Sequence, residues 1–199
     1  MQQISLNRTS GLTLMELMIA VAILGIIISL SMPSFSSFRE TQRLIGAAEQ
    51  VYGHLQQART ESIARNVPVF VNFATDGSAE WVYGMSSVNS LCDLTQTTPT
   101  VADACVVIVD DGDGVVNSSD FVLMRYDSDA FAGVQMSRSN FTSGNSQIEF
   151  EPVRGMASAG QIDLAIAGGD QLRIRVSRLG RVTLCSPSGS VGTYSSTGC

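Results

Sequence analysis

Few residues in this chain stand where they could do chemistry. Glu16 is the only charge in an apolar run, LTLMELMIAVAILGIIISLSM, that extends from Leu12 to Met32 and is closed by Pro33. Four cysteines, Cys92, Cys105, Cys185 and Cys199, follow one another at spacings of 13, 80 and 14 residues. An acidic stretch, DDGDGVVNSSD, runs from Asp110 to Asp120, and Arg173, Arg175, Arg178 and Arg181 crowd one segment near the end. His54 is the single histidine.

Catalysis finds little footing in this set. There is no histidine pair to hold a metal, no phosphate-cradling glycine loop, and no base for a nucleophilic serine beyond His54, which falls in a helical pattern. The chain therefore reads as non-enzymatic. Its 12 basic and 18 acidic residues give a net charge of −6, and every one of the basic residues is arginine. Such a balance disfavours general nucleic-acid binding unless arginines gather locally.

Two constellations carry a ligand reading beside a structural one. With Gly114 at the sixth position of a calcium loop, Asp111, Asp113, Asn117 and Asp120 take the third, fifth, ninth and twelfth positions. Val109 then stands at the first, which leaves Asp110 to substitute by a shift. An Asp/Gly turn between strands accounts for the same residues and is preferred, so no cofactor is assigned, with calcium kept as the alternative. In LRIRVSRLGR a strand would turn Arg173 and Arg175 to one face and Leu172, Ile174 and Val176 to the other. That stripe could track phosphates. The preferred reading is a solvated face balanced by the chain's acids, because base-stacking aromatics are missing nearby apart from Tyr194.

The four cysteines permit three pairings. Neighbour pairing, Cys92–Cys105 and Cys185–Cys199, is the most economical, since each bridge closes one short loop at about 3 kcal/mol on the chain-entropy model. Disulfides imply an oxidising compartment.

The elements that must position these groups follow from periodicity. At 1.5 Å per residue the run from Leu12 to Met32 makes a helix about 30 Å long, the thickness of a hydrocarbon core. The residues after Pro33 continue in an amphipathic pattern through Phe38, Ile45, Ala48, Val51, Leu55 and Ala58, and NVP ends it. One helix is expected from about Leu12 to Arg65. From Val67 onward, VPVFVNF and WVYGM flank a TDGS turn, and CVVIV, FVLMRY, GVQMSR, QIEFE, QIDLAIA, QLRIRVS and RVTLC read as further strands. The fold class is α+β, a long N-terminal helix on an antiparallel β-domain. Glu16 remains the anomaly, since an ionised group deep in lipid costs roughly 2.5–3.5 kcal/mol. A cut after Gly11 would give Leu12 a free amine able to neutralise a glutamate on a neighbouring chain.

Gly11, Glu16, the apolar run and Pro33 at these offsets resemble the class III signal of type IV pilins and type II secretion pseudopilins. The resemblance implies that a prepilin peptidase cuts between Gly11 and Leu12 and that Leu12, where phenylalanine is usual, is N-methylated. It puts the family's assembly glutamate at Glu16 and its helix-kinking proline at Pro33. Three later pieces, Asp110 to Arg125, Phe150 to Gly155 and Ser177 to Arg181, resemble the GspH/FimT family of minor pilins and pseudopilins, which includes FimU. The implied organisation is a leader at 1–11, a transmembrane assembly half-helix at 12–33, an amphipathic half-helix at 34–66 and a pilin-like β-domain at 67–199. The expected function is a minor pilin at or near the tip of a type IV pilus that helps to initiate assembly. The alternatives are an H-type minor pseudopilin of type II secretion and a FimT-type DNA uptake receptor. For the last, Thr183 replaces the second arginine of the family's G-R-x-R motif. Expected partners are other pilins or pseudopilins, the peptidase and an inner-membrane assembly platform. The chain would span the bacterial inner membrane once, with its β-domain periplasmic, before entering the filament.

Overall fold

The computed structural model describes residues 13–75, 77–139, 141 and 146–199, and at 30–34 the backbone only. Gly11 and Leu12, where cleavage and methylation are expected, lie outside the described residues, as does the side chain of Pro33. Helix α1 runs Leu14–Arg65 and carries through position 33. The chain divides into two units, 1–39 and 40–199. In the first, the Arg39 guanidinium lies 6.0 Å above the centroid of the Phe35 ring. Phe38, expected on the packed stripe, is instead 58% exposed.

In the second unit α1 presents Leu44, Ala47, Ala48, Val51, Leu55 and Ala58, all fully buried. The stripe begins at Leu44 rather than Ile45, which is only partly covered. The spacing by three and four keeps the stripe on one face. The helix stops because Asn66 takes the left-handed conformation, φ 57°, and Pro68 follows two residues later. Arg65 in the last turn pairs with Glu61 one turn back and donates to the Ile108 carbonyl.

Ten strands are found among the described residues, all laddered antiparallel. One sheet has the order β5 (Arg125–Asp127), β2 (Val82–Ser86), β1 (Val69–Ala74) and β7 (Gln147–Phe150). The second has β10 (Val182–Cys185), β9 (Gln171–Val176), β8 (Gly160–Ala165) and β6 (Gln135–Ser139). A two-stranded ribbon joins β3 (Val106–Ile108) to β4 (Phe121–Leu123). The fold is α+β. The segment FVLMRY, expected as one strand, splits at Met124 because its two halves have different partners. Before it β4 pairs β3, and after it β5 pairs β2. Met124 itself bridges them, donating to the Cys105 carbonyl and accepting from Met85 N–H, each at 2.8 Å.

Period-two alternation fixes which side chains face the helix. Val69, Val71 and Phe73 of β1, Ile162 and Leu164 of β8, and Leu172, Ile174 and Val176 of β9 join the α1 stripe in one core. Trp81 is buried with its indole N–H satisfied by the Val134 carbonyl at 2.9 Å. Two disulfides fasten the long loops, Cys92 to Cys105 and Cys185 to Cys199. The second closes the final segment, which is also held at two other points. Val191 enters the core, and the Tyr194 hydroxyl donates to Glu49 on α1 at 2.6 Å. Burial, and then that carboxylate, push the Tyr194 phenol up to about 12.

The turn after β7 and the turn between β9 and β10 meet at two glycines, Gly155 and Gly180, with φ 57° and 69°. A Cβ on Gly180 would sit 1.8 Å from the Gly155 carbonyl oxygen, so only glycine fits. Gly53 on α1 is the opposite case, exposed and with nothing within 4 Å of an added Cβ. Gly180→Ala is expected to destabilise the protein by more than about 2 kcal/mol, while Gly53→Ala stabilises it by about 0.5–1 kcal/mol. Denaturant unfolding of the two variants checks this, and Gly180→Ala within experimental error of the parent would refute the close packing.

Candidate functional site

The first turn of α1 is built around Glu16. Thr13 caps the helix, its Oγ1 accepting from the Glu16 N–H at 3.3 Å, while Leu17 N–H donates to the Thr13 carbonyl. The sequence T-L-M-E is a capping-box pattern, a signal in the residues that apolarity alone does not reveal. The carboxylate thus stands at the N-terminal end of the helix, beside the Thr13 cap. Behind it, eleven large apolar side chains from Leu14 to Ile28 are each 49% exposed or more, on every face of the helix. A soluble monomer rarely shows a contiguous apolar patch beyond roughly 300–600 Å². A helix apolar all round is one that other helices or lipid must cover. Among the described residues no helix is long and apolar enough to cross a membrane. The apolar run of the sequence, 12–32, extends past the described side chains at both ends.

In the acidic loop the structure brings some candidates together and turns others away. The carboxylates of Asp110, Asp111 and Asp113 converge, with oxygens within 4.8 Å of one another, all exposed. Asn117 directs its amide nitrogen at Asp113, 3.4 Å away. Asp120 is fully buried and committed to the backbone, accepting from Asp111 N–H at 3.0 Å and Asn117 N–H at 2.8 Å. Its carboxylate closes the turn, which leaves the twelfth-position ligand of a calcium loop occupied by amides.

The four arginines of the β9–β10 hairpin are likewise in different circumstances. Arg173 forms a two-pronged bond to Asp163, directly across the sheet, with Nε to Oδ1 at 2.6 Å and the second nitrogen to Oδ2 at 3.0 Å. This fork holds the guanidinium above its ordinary pKa. Arg175 donates to the Gly198 carbonyl at 2.8 Å. Arg178 and Arg181 sit at the exposed turn. His54 packs rather than reacts. Its ring stacks on Tyr126 with centroids 3.8 Å apart, and its Nδ1 lies 2.7 Å from the Tyr83 hydroxyl. Gln50 donates to that same hydroxyl at 3.4 Å, which leaves the tyrosine proton for the imidazole. Arg59, not singled out by periodicity, lies under the Gly155–Gly180 junction with its Nε buried and unpaired.

A helix apolar on every face, led by one carboxylate and continued into a stapled β-domain, is the equipment of an anchored assembly subunit. The chain belongs to the family described as Type II transport protein GspH, whose model matches residues 47–180. The prokaryotic N-terminal methylation motif matches residues 6–32. The family comprises pilin-type structural subunits, the minor pilins and pseudopilins, which associate with others of their kind. Its motif implies anchoring in the inner membrane. In overall structure the chain is similar to the type IV minor pilin FimU of Pseudomonas aeruginosa, with 16% identity over 74% of this chain and 91% of that one and a TM-score of 0.43. It is also similar to the minor pseudopilin EpsH from the type 2 secretion system of Vibrio cholerae, with 12% identity over 71% and 94% and a TM-score of 0.41. No curated protein matches it.

The packed histidine generates a pH dependence. Burial holds the His54 imidazole below its ordinary pKa of 6.5. The unfolded chain therefore binds the proton first, and stability present above pH 6.5 falls as pH drops from there toward the folded-state value, then levels off. Melting temperature followed from pH 7.5 to 5 should decline in the parent and lose that component in His54→Gln. An equal slope in both would show that His54 does not carry it.

Proposed function

We propose that this protein is a minor pilin incorporated at or near the tip of a type IV pilus, where it helps to initiate filament assembly as a non-enzymatic structural subunit. The carrying observation is the first half of α1, apolar on every face and led by Glu16 in its capped first turn. The partners of such a helix are lipid before assembly and other helices like it afterwards. In this reading a prepilin peptidase cuts between Gly11 and Leu12, and Leu12 is N-methylated. The new amine of Leu12 then meets a Glu16 carboxylate on the adjoining subunit, two charges that are affordable in an apolar setting only as a pair. Residues 12–33 span the inner membrane once, with Pro33 at the end of the span. Residues 34–66 lead into a periplasmic β-domain at 67–199. The inner-membrane platform receives the subunit, and the Cys185–Cys199 staple, by resemblance, favours the pilus.

A second reading, an H-type minor pseudopilin of type II secretion, draws support from the family's own description. Deleting the gene separates the two. Loss of surface pili with secretion intact supports the pilus, and periplasmic retention of exoproteins with pili intact supports secretion.

Glu16→Gln removes the charge while leaving the backbone cap of Thr13 in place. Incorporation into sheared filaments should fall at least about tenfold, the factor that about 1.4 kcal/mol of lost charge pairing gives. The melting temperature of the β-domain should stay unchanged. Normal incorporation of this variant would overturn the docking role.

A further inference from the structure

Between the outer face of the β9–β10 hairpin and the final segment lies a cleft of about 440 Å³. One wall carries Arg175, Ser177, Arg181 and Thr183, and the other is Ser195 to Gly198. Register explains why they converge. Arg175 and Thr183 are opposite one another across the β9–β10 ladder, on the face turned away from the core. Arg181 follows from the turn that closes the same hairpin. The far wall is fixed by the Cys185–Cys199 bridge, by Val191 in the core and by Tyr194 on Glu49, so the cleft is held open before anything enters it.

Its chemistry is that of an anion receptor. Two guanidiniums line it and no carboxylate side chain does, in a chain whose net charge is −6. Arg175 has one N–H on the Gly198 carbonyl. The Arg181 guanidinium has no hydrogen-bond or ion-pair partner among the described residues. The Ser177 hydroxyl accepts from Arg181 N–H at 3.2 Å and that of Ser195 from Thr197 N–H at 3.0 Å, which leaves each hydroxyl a proton to donate. We infer that this cleft receives carboxylate side chains from an exposed acidic segment of a neighbouring protein subunit. The partner's identity as a filament neighbour rests on the pilin reading above, whereas the cleft's affinity for an acidic peptide does not.

The observations favour a protein acid over nucleic acid. A strand of phosphates needs a continuous line of free cations, and Arg173, next in the row, is locked on Asp163. A single strand needs aromatic platforms, and no aromatic side chain lines the cleft. A planar carboxylate needs only one free guanidinium fork with donors around it.

The test uses the full chain in detergent, titrated with a blocked peptide of sequence Gly-Asp-Asp-Gly-Asp-Gly and with its asparagine counterpart. Saturable binding of the aspartate peptide alone is expected, weakened about tenfold by Arg181→Gln and by Arg175→Gln. Arg178→Gln, on the turn but outside the cleft, should leave binding unchanged. Arg181→Gln should melt as the parent does, since its side chain holds nothing. Equal losses in Arg178→Gln and Arg181→Gln would mean diffuse attraction, and tighter binding of a single-stranded oligonucleotide through the same arginines would mean a nucleic-acid site. Either result, or no saturable binding at millimolar peptide, overturns the proposal. Glu16→Gln should bind the peptide normally. A failed peptide titration alongside a Glu16 assembly defect removes only the cleft, and peptide binding alongside normal Glu16→Gln incorporation removes only the docking reading.

Discussion

Both sheets close over the same helical stripe, Leu44 to Ala58, and the rest of the second unit depends on that contact. Three of its six residues are alanine, so the helix contributes little side-chain bulk to the core. The bulk comes from the sheets, as Trp81, Tyr83, Phe73 and Phe150 fill the space above it. Truncating a large sheet residue would leave a cavity the small helical residues cannot fill, whereas enlarging an alanine would push the layers apart. The same economy explains why His54, Gln50 and Glu49 on the helix flanks find partners in Tyr83 and Tyr194. These three polar groups at the margin of the stripe are each answered by a tyrosine hydroxyl.

The first unit obeys the opposite rule. Between Leu14 and Ile28 eleven large apolar side chains are exposed around the helix, with Glu16 the one charge among them. One continuous helix thus carries two burial schemes, a single buried stripe at 44–58 and an all-round apolar surface at 14–28. That change of pattern within one element separates the part that stabilises the subunit from the part that needs partners. Glu16 stands in the first turn, where its own N–H is capped by Thr13, rather than at mid-helix.

Much of this was legible in the residues because it depends on local period. The α+β class, the long helix and most strands follow from spacing of three to four or of two. What spacing could not carry was partner choice. FVLMRY alternates like one strand, and it breaks at Met124 because its first half pairs with β3 and its second with β2. Leu44 displaces Ile45 because the sheets approach from a direction that the helix pattern leaves open. Arg173 and Arg175 have the same strand phase, yet Asp163 engages one and a backbone carbonyl the other. Asp120 scores as a ligand by position and is spent on two amides. The capping role at Thr13 was readable, since T-x-x-E ahead of an apolar run needs no tertiary knowledge.

Charge is distributed with the same division of labour. Acids dominate the chain, but Asp163, Asp120 and Glu49 are consumed inside the fold by Arg173, backbone amides and Tyr194. Among those left outward, Asp110, Asp111 and Asp113 converge in one loop. Arg181, whose guanidinium is uncommitted among the described residues, lines the terminal cleft. A subunit that enters an ordered array gains specificity from such separation, because like-charged patches exclude wrong orientations while one matched pair fixes the right one. Apolar helices supply affinity without direction, as any similar helix would cover them. Charge on a β-domain adds direction only where patches of opposite sign meet.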